Sequence, residues 1–154
     1  MSNCFIILAG GESKRFNSKI PKPYSLYKGK PLLLHSIDKA QSYNKINKIV
    51  LIINKKHKNL IKKLRIKNIK IIEGGKTRAE SAYIGLRSIR NHKIKNVMMH
   101  DAARPNFSLK LLDKLIKELK SNDCVIPALQ TTDSVKYKSL DKITNLKREN
   151  IYFT

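Results

Sequence analysis

The residues best suited to chemistry follow the first apolar run of the sequence, Cys4–Ala9. Gly10 and Gly11 have no side chain to block a ligand, and they can adopt the positive-φ conformations that turn successive N–H groups inward. Arg15 offers a planar fork of donors and Lys22 a mobile point charge, the two cation types suited to polyphosphate oxygens. A buried strand that leads into this loop predicts a phosphate-binding site.

Two later loops carry further polar residues. One is Gly74-Gly75-Lys76-Thr77-Arg78, with Ser81 one turn into the next helix, and the other is His100-Asp101-Ala102-Ala103-Arg104-Pro105. The Asp101 carboxylate can bind a ribose hydroxyl or a nucleotide-bound Mg²⁺, and Arg104, which the following proline holds extended, can bind an anion. Because ligands of parallel sheets lie beyond the carboxyl ends of the strands, the three loops together predict one shared site.

Each loop also has a purely structural interpretation. The first loop matches neither G-x-G-x-x-G nor G-x-x-x-x-G-K-[ST], so the dinucleotide and P-loop fingerprints are absent. Gly10-Gly11 and Gly74-Gly75 are each compatible with a tight turn, and His100 beside Asp101 with a structural hydrogen-bonded pair. The spacing of cysteines, histidines and acids around His100 does not fit a metal cluster.

The elements that must position these loops alternate between strand-length apolar runs and helix-period stretches. The candidate strands are Cys4–Ala9, Lys48–Ile53, Ile69–Glu73, Ile94–Met99 and Asp123–Ala128. Their continuous Val, Ile and Leu content is typical of strands buried on both faces. The pattern predicts an α/β fold, Rossmann-like, with a mostly parallel sheet flanked by helices.

Helices are predicted at Pro31–Ser42, Lys55–Arg65, from Thr77 to about Asn91, and at Leu109–Lys120. Proline at a first helical position favours the start of the first of them. Thr77 and Glu80 have the spacing of a capping box. In the helix that this box opens, the buried face is expected to consist of Ala79, Ala82, Tyr83, Leu86 and Ile89.

The C-terminal tail is polar and poor in helix signals from Gln130 to Lys147. Residues 131–137 and 142–147 are expected to pair as a protruding β-hairpin, which makes residues 130–148 a candidate dimerisation arm. The sequence closes on the apolar segment Ile151–Thr154. We expect a single domain over residues 1–154 whose C-terminal portion is missing.

Composition excludes several classes of protein. The net charge of +22 comes from 33 basic and 11 acidic residues, but the lysines are spread along the chain and aromatic residues make up only 6%, so no dedicated nucleic-acid binding is expected. A nucleic-acid-binding protein would instead show affinity that falls steeply with salt. No apolar run approaches the roughly 20 residues that span a membrane. The run Cys4–Ala9 is too short for the apolar region of a signal peptide and has no basic flank, so no signal peptide is expected. Cys4 and Cys124 lie in apolar runs, so we expect both to be reduced and buried in the core, as is typical of a cytoplasmic protein.

Taken in order, the motifs resemble the 2-C-methyl-D-erythritol 4-phosphate cytidylyltransferase family. The matching stretches are Leu8-Ala9-Gly10-Gly11 with Arg15, Pro21-Lys22-Pro23-Tyr24, Gly29-Lys30-Pro31-Leu32, Gly74-Gly75-x-Thr77-Arg78-x-x-Ser81 and His100-Asp101-Ala102-Ala103-Arg104-Pro105. The last two are highly specific, whereas the first loop alone indicates only the wider sugar-phosphate nucleotidyltransferase group. The resemblance covers essentially the whole chain.

The resemblance implies transfer of CMP from CTP to 2-C-methyl-D-erythritol 4-phosphate, with release of pyrophosphate, in isoprenoid precursor biosynthesis. Positioning and charge neutralisation supply most of the catalysis in such a reaction. The catalytic cations would be Arg15 and Lys22, acting on the α- and β-phosphates. The nucleotide would be bound by Leu8, Ala9, Gly10, Gly11, Gly75, Arg78, Ser81, Asp101 and Ala102.

The same resemblance implies the remaining ligands and partners. Asp101 would meet Mg²⁺ or another divalent cation, held mostly through the nucleotide phosphates. Arg104, Ser134 and Arg148 would bind the sugar-alcohol phosphate, and in a homodimer Arg148 would reach into the neighbouring subunit's site. Family members continue beyond a segment like the last four residues, so a truncated member is expected.

Several departures from the family pattern keep alternatives open. Glu12 and Ser13 stand where the family usually keeps another glycine, Pro23 replaces a glutamine, and Ser134 replaces a threonine. Ribitol 5-phosphate could replace methylerythritol phosphate as acceptor. The chain could also be a catalytically impaired fragment that binds nucleotide or only dimerises.

Overall fold

A four-stranded parallel sheet forms the centre of the fold. The computed structural model describes residues 2–13, 18, 20–90 and 92–154, which cluster into two compact units, Met1–Leu109 and Lys110–Thr154. In the first unit the strands are β1 (Asn3–Ala9), β2 (Leu26–Tyr27), β3 (Lys30–Pro31), β4 (Lys48–Ile53), β5 (Lys70–Glu73) and β6 (Asn96–Asp101). Its helices are α1 (Leu32–Gln41), α2 (Lys58–Lys63) and α3 (Arg78–Arg87), with 3₁₀ turns at Lys22–Tyr24 and Lys55–His57.

The order of strands in the sheet is β5-β4-β1-β6, all parallel, while β2 and β3 form a separate antiparallel pair. Ile6 of β1 lies between Val50 of β4 and Met99 of β6. The chain builds the sheet outward from β1 to β5 and then returns to the other side of β1 with β6. The carboxyl ends of β1 and β6 therefore flank the crevice in which sheets of this kind bind ligands.

Helices cover the sheet on both faces, which is why every residue of β1 is buried. On one face, Cys4, Ile6 and Leu8 join Val50 and Ile52 in a core cluster. α3 packs on this face through Gly85, where an added Cβ would lie 3.0 Å from Ile6 Cγ2. α1 covers β1 with its own buried residues, Leu33, Ser36, Ile37 and Ala40.

The second unit contains most of α4 (Leu109–Glu118) and the strands β7 (Leu129–Gln130), β8 (Val135–Ser139), β9 (Lys142–Leu146) and β10 (Tyr152–Phe153). β8 and β9 pair as an antiparallel hairpin, and β7 pairs antiparallel with β10. A short 3₁₀ turn, Arg148–Asn150, precedes β10. In the described part of the chain, no helix is long and apolar enough to cross a membrane.

The predicted fold class is confirmed, including the parallel sheet and the hairpin near the C-terminus. The fourth predicted strand is displaced by two residues, because β6 pairs with β1 from Asn96 through Asp101. The predicted strand at 123–128 is wrong: this segment, fully described, pairs with no strand. Pro127 lacks the N–H that a ladder needs. Cys124 is accordingly exposed, whereas Cys4 is buried as expected.

The predicted buried face of α3 is also partly wrong. Tyr83 and Leu86 are 62% and 40% exposed, and the helix buries Ser81 and Gly85 instead. The absence of a side chain at Gly85 lets α3 lie so close to β1 that small residues make the contact. Hydrophobic periodicity underrates such a face, because it counts large apolar side chains.

Candidate functional site

An open cleft of about 1110 Å³ lies at the carboxyl edge of the sheet, within the first unit. Its walls are the loops that follow β1, β4, β5 and β6, together with the turn that contains Lys22. Ten of the residues predicted from sequence line it: Leu8, Gly10, Gly11, Lys22, Gly75, Arg78, Ser81, Asp101, Ala102 and Arg104. The three predicted loops therefore do converge, as the topology of parallel strands requires.

The first loop, residues 10–13, is called the glycine loop below. Gly10 and Gly11 do not use positive φ: of the described glycines only Gly29 does, at +74°, which corrects the expectation for both. Their value lies in the space that they leave. A Cβ added at Gly11, which lines the cleft, would meet nothing within 4 Å. The protein itself does not require glycine at this position, so the open space is available to a ligand.

Ser13 ties the glycine loop to the turn that contains Lys22. The Lys22 backbone N–H donates to Ser13 Oγ at 2.9 Å, and Ser13 has a positive φ of 54°. Because glycine adopts the left-handed region without strain, this backbone conformation of Ser13 explains why the family pattern has a glycine here. Arg15, the other predicted catalytic cation, lies outside the described residues.

The second loop, residues 74–77, has no space for side chains at its glycines. A Cβ at Gly74 would lie 2.5 Å from Ser81 Oγ, and one at Gly75 would lie 2.4 Å from Glu80 Cβ. The predicted capping box is confirmed, with Thr77 Oγ1 accepting from Glu80 N at 3.1 Å. The box presses α3 against the loop and leaves the Ser81 hydroxyl within 3.5 Å of the Gly75 carbonyl.

Asp101 links the second loop to the third. Arg78 donates to Asp101 Oδ1 from Nε at 3.3 Å and from Nη2 at 3.2 Å, and Arg104 Nε lies 3.5 Å from Asp101 Oδ2. All three side chains line the cleft. The Asp101 carboxylate thus lies between two guanidinium groups and holds both arginines at the wall of the cleft.

The third loop, residues 101–105, is fastened from several sides. The Ala102 N–H donates to the Leu8 carbonyl at 3.0 Å, and Ser36 Oγ donates to the Ala102 carbonyl at 3.0 Å. His100 Nε2 bonds the Arg104 carbonyl at 2.9 Å, and the imidazole packs edge-on against Phe107. Burial lowers the pKa of His100. This favours a neutral imidazole with a structural role over a charged imidazolium that binds an anion.

Sequence reasoning missed the loop after β4. Asn54 and Lys55 line the cleft, and Asn54 Nδ2 donates to the Gly10 carbonyl at 3.3 Å. The signal was present, because the rule that places loops at the carboxyl edge of a sheet applies equally to β4. Asn54 and Lys55 form no recognisable motif, so residue patterns alone do not single them out.

The described lining of the cleft is cationic. Five cations (Lys22, Lys55, Lys76, Arg78 and Arg104) face two acids, Glu12 and Asp101. Lys56 neutralises Glu12 at 2.9 Å, and Asp101 is shared by two arginines. This excess of positive charge in a concave site favours a polyanionic ligand.

Two predicted substrate residues belong to the second unit. Ser134 directly precedes β8, and Arg148 opens the 3₁₀ turn before β10. Ala9, the last residue of β1, is fully buried and contributes no surface to the cleft. Among the residues that the structure describes, no group of three or more His, Cys, Asp or Glu side chains could hold a metal ion by itself.

Comparison with protein families gives a match over nearly the whole chain. The family model for 2-C-methyl-D-erythritol 4-phosphate cytidylyltransferase (IspD) matches residues 3–151. The bifunctional enzyme IspD/IspF of Pelagibacter ubique (strain HTCC1062) is 74% identical over 152 residues, which cover 99% of this chain and 41% of that protein. The 2-C-methyl-D-erythritol 4-phosphate cytidylyltransferase of Clostridium novyi (strain NT) is 32% identical, covering 97% of this chain and 68% of that protein.

Solved structures show the same similarity. The 4-diphosphocytidyl-2C-methyl-D-erythritol synthase of Anaerococcus prevotii superposes with a TM-score of 0.82 at 29% identity, covering 98% of this chain and 66% of that one. The bifunctional IspDF of Campylobacter jejuni gives 0.80 at 34% identity, covering 99% and 39%. The chain thus spans well under half the length of its bifunctional relatives.

Proposed function

Because the chain belongs to the 2-C-methyl-D-erythritol 4-phosphate cytidylyltransferase family, we propose that it transfers CMP from CTP to 2-C-methyl-D-erythritol 4-phosphate and releases pyrophosphate, in isoprenoid precursor biosynthesis. The observation that supports this most is the cationic cleft in which ten residues of the family pattern meet. The family resemblance that the sequence motifs indicate is confirmed.

The glycine loop and Lys22 would bind the triphosphate. An acceptor phosphate oxygen attacks the α-phosphorus, the bond from the α-phosphorus to the bridging oxygen of the β-phosphate breaks, and pyrophosphate carries away the electron pair. Negative charge grows on the oxygens around the α- and β-phosphates, so a fixed ammonium stabilises the transition state more than the ground state. Lys22 is suited to this because Ser13 fixes its backbone beside the loop. The same role for Arg15 is supported by the family pattern alone.

The second loop would recognise the cytidine end of the nucleotide. The backbone of Gly75 and the hydroxyl of Ser81 present both acceptor and donor groups at the wall of the cleft, which a pyrimidine edge requires. Asp101 and Ala102 would contact the ribose. Arg78 would hold this loop in position through its hydrogen bonds to Asp101.

A divalent cation, Mg²⁺ for preference, fits the chemistry of the cleft. Mg²⁺ commonly binds through one or two carboxylates plus substrate phosphates, and Asp101 supplies one carboxylate in the lining. When bound with the nucleotide, the ion would neutralise phosphate charge. Asp101 is the residue that would hold it.

The acceptor, the partner and the cell compartment complete the proposal. Arg104 lines the cleft and would bind the acceptor phosphate, with Ser134 and Arg148 assigned to it by the family pattern.

A homodimer through residues 130–148 is supported by the β8–β9 hairpin, since an isolated two-stranded hairpin is marginally stable and this one exposes Tyr137 and Ile143. Two free cysteines favour a reducing compartment, the cytoplasm.

Pyrophosphate release from CTP and 2-C-methyl-D-erythritol 4-phosphate tests the proposed function. Wild-type chain should turn over, and Lys22→Ala should lower kcat by about 10²–10³, the usual loss for one charge-stabilising donor. Lys63→Ala, which removes an exposed lysine of α2 outside the cleft, is the matched control. CTP binding without any turnover would show a nucleotide-binding module instead. Faster turnover with ribitol 5-phosphate than with 2-C-methyl-D-erythritol 4-phosphate would identify ribitol 5-phosphate as the acceptor instead.

A further inference from the structure

The turn after β4 is fastened against the glycine loop. Asn54 Nδ2 donates to the Gly10 carbonyl at 3.3 Å, and the His57 imidazole hydrogen-bonds the Ala9 carbonyl. His57 is 7% exposed, and its Nδ1 has no hydrogen-bond partner in the described chain.

The same turn also contacts the segment that carries Lys22. The ring of Tyr24, two residues after Lys22, packs edge-on against His57 with centroids 5.0 Å apart. Burial lowers the pKa of His57 and raises that of Tyr24 to about 12, so both rings are neutral at pH 7. Residues 54–57, called the shelf below, thus contact both the glycine loop and the Lys22 turn.

The lysines of this shelf and the helix after it differ in their partners. Lys56 pairs with Glu12 at 2.9 Å, and Lys58 pairs with Glu73. Lys55 lines the cleft, and its side chain has no ion-pair or hydrogen-bond partner among the described residues. Of Lys55, Lys56 and Lys58, Lys55 is thus the one whose side chain is available to a ligand in the cleft.

We propose that Lys55 binds the β- and γ-phosphates of the nucleoside triphosphate, the part that leaves as pyrophosphate. This rests on the proposed function and adds a residue to it. The backbone places Lys55 beside the phosphate-binding end of the cleft, since Asn54 N lies 3.8 Å from the Cβ position of Gly10. The residues proposed to bind the base lie elsewhere, Gly75 in the second loop and Ser81 in the first turn of α3.

A ligand series separates a phosphate contact from a general field effect. Calorimetry would compare CTP and CMP on wild type, Lys55→Ala and Lys55→Arg, with Lys63→Ala as a control of equal charge change. Lys55→Ala should weaken CTP binding about five- to tenfold, as expected for one exposed charge pair, and leave CMP binding unchanged. Lys55→Arg should retain most of the CTP affinity, and Lys63→Ala all of it.

The outcomes distinguish the role of Lys55 from the proposed function on which it rests. Unchanged CTP affinity in Lys55→Ala overturns the role of Lys55 and leaves the proposed function standing. An equal loss for CTP and CMP also overturns it, because Lys55 would then act on the nucleoside or on the fold. Wild type that binds neither CTP nor pyrophosphate would defeat the proposed function and this inference together.

Discussion

Two glycines of the cleft should respond in opposite ways to the same added methyl group. At Gly74 a Cβ would lie 2.5 Å from Ser81 Oγ and 2.8 Å from Ile52 Cγ2, both too close for real atoms. At Gly11 it would meet nothing within 4 Å. Neither glycine has a positive φ, so backbone strain does not separate Gly74→Ala from Gly11→Ala.

The size of the difference follows from packing. Glycine-to-alanine changes stabilise by roughly 0.4–1 kcal/mol through the unfolded chain, and this gain is common to both variants. Forcing a methyl group into a close-packed site costs about 1–3 kcal/mol, because Ser81 and Ile52 are buried and have little room to move. That cost applies to Gly74→Ala alone, so its melting temperature should lie roughly 3–9 °C below that of Gly11→Ala for a chain of this size.

Thermal unfolding by circular dichroism, with and without CTP, measures both effects. Gly11→Ala should melt at or slightly above the wild-type temperature and yet lose the stabilisation that CTP gives wild type, since the methyl group occupies ligand space. Gly74→Ala should melt lower in the absence of any ligand. Equal melting temperatures for the two variants, or full CTP stabilisation of Gly11→Ala, would refute this division between a structural and a ligand-contacting glycine.

Three further outcomes are expected. Ser13→Gly relieves the φ of +54° but also removes the Lys22–Ser13 hydrogen bond, so the free energy of unfolding should change by less than about 1 kcal/mol while kcat falls because Lys22 is loosened; equal kcat would contradict this. Burial lowers the pKa of His57 and His100 from 6.5, so the stability that their neutral forms contribute is fully present above pH 6.5 and is lost as the pH falls through the lowered pKa values. In urea titrations, His57→Gln should therefore lose less of its free energy of unfolding at acid pH than wild type does. Thiol titration of native chain should find Cys124 reactive and Cys4, with a pKa of about 11, protected.

The sheet could be predicted from sequence because its strands are continuous apolar runs. Lys48–Ile53 was predicted to the residue, and the capping box fixed the start of α3 from Thr77 and Glu80 alone. Such signals are local, so they need no knowledge of the fold. The segment 123–128 shows the limit, since apolar content favours a strand but cannot supply a partner for it.

The site was predictable to the extent that it consists of loops at one edge of the sheet. What sequence could not provide is which backbone groups come close together. No sequence pattern around Asn54 and His57 indicates that these side chains contact the backbone of Gly10 and Ala9. Nor does the sequence distinguish Gly74, which has no room for a Cβ, from Gly11, which has room.

The proposed function requires the cleft to bind cytidine triphosphate in preference to other nucleotides, so the first measurement is nucleotide selectivity. Melting curves of the wild-type chain would be recorded with Mg²⁺ and, in turn, CTP, UTP, ATP and GTP. A nucleotide at 100 times its dissociation constant adds about 2.7 kcal/mol to the free energy of unfolding. We expect a clear upward shift of the melting temperature with CTP and little shift with the other three nucleotides. An equal shift with all four, or none with CTP on a chain that melts cooperatively, would contradict it.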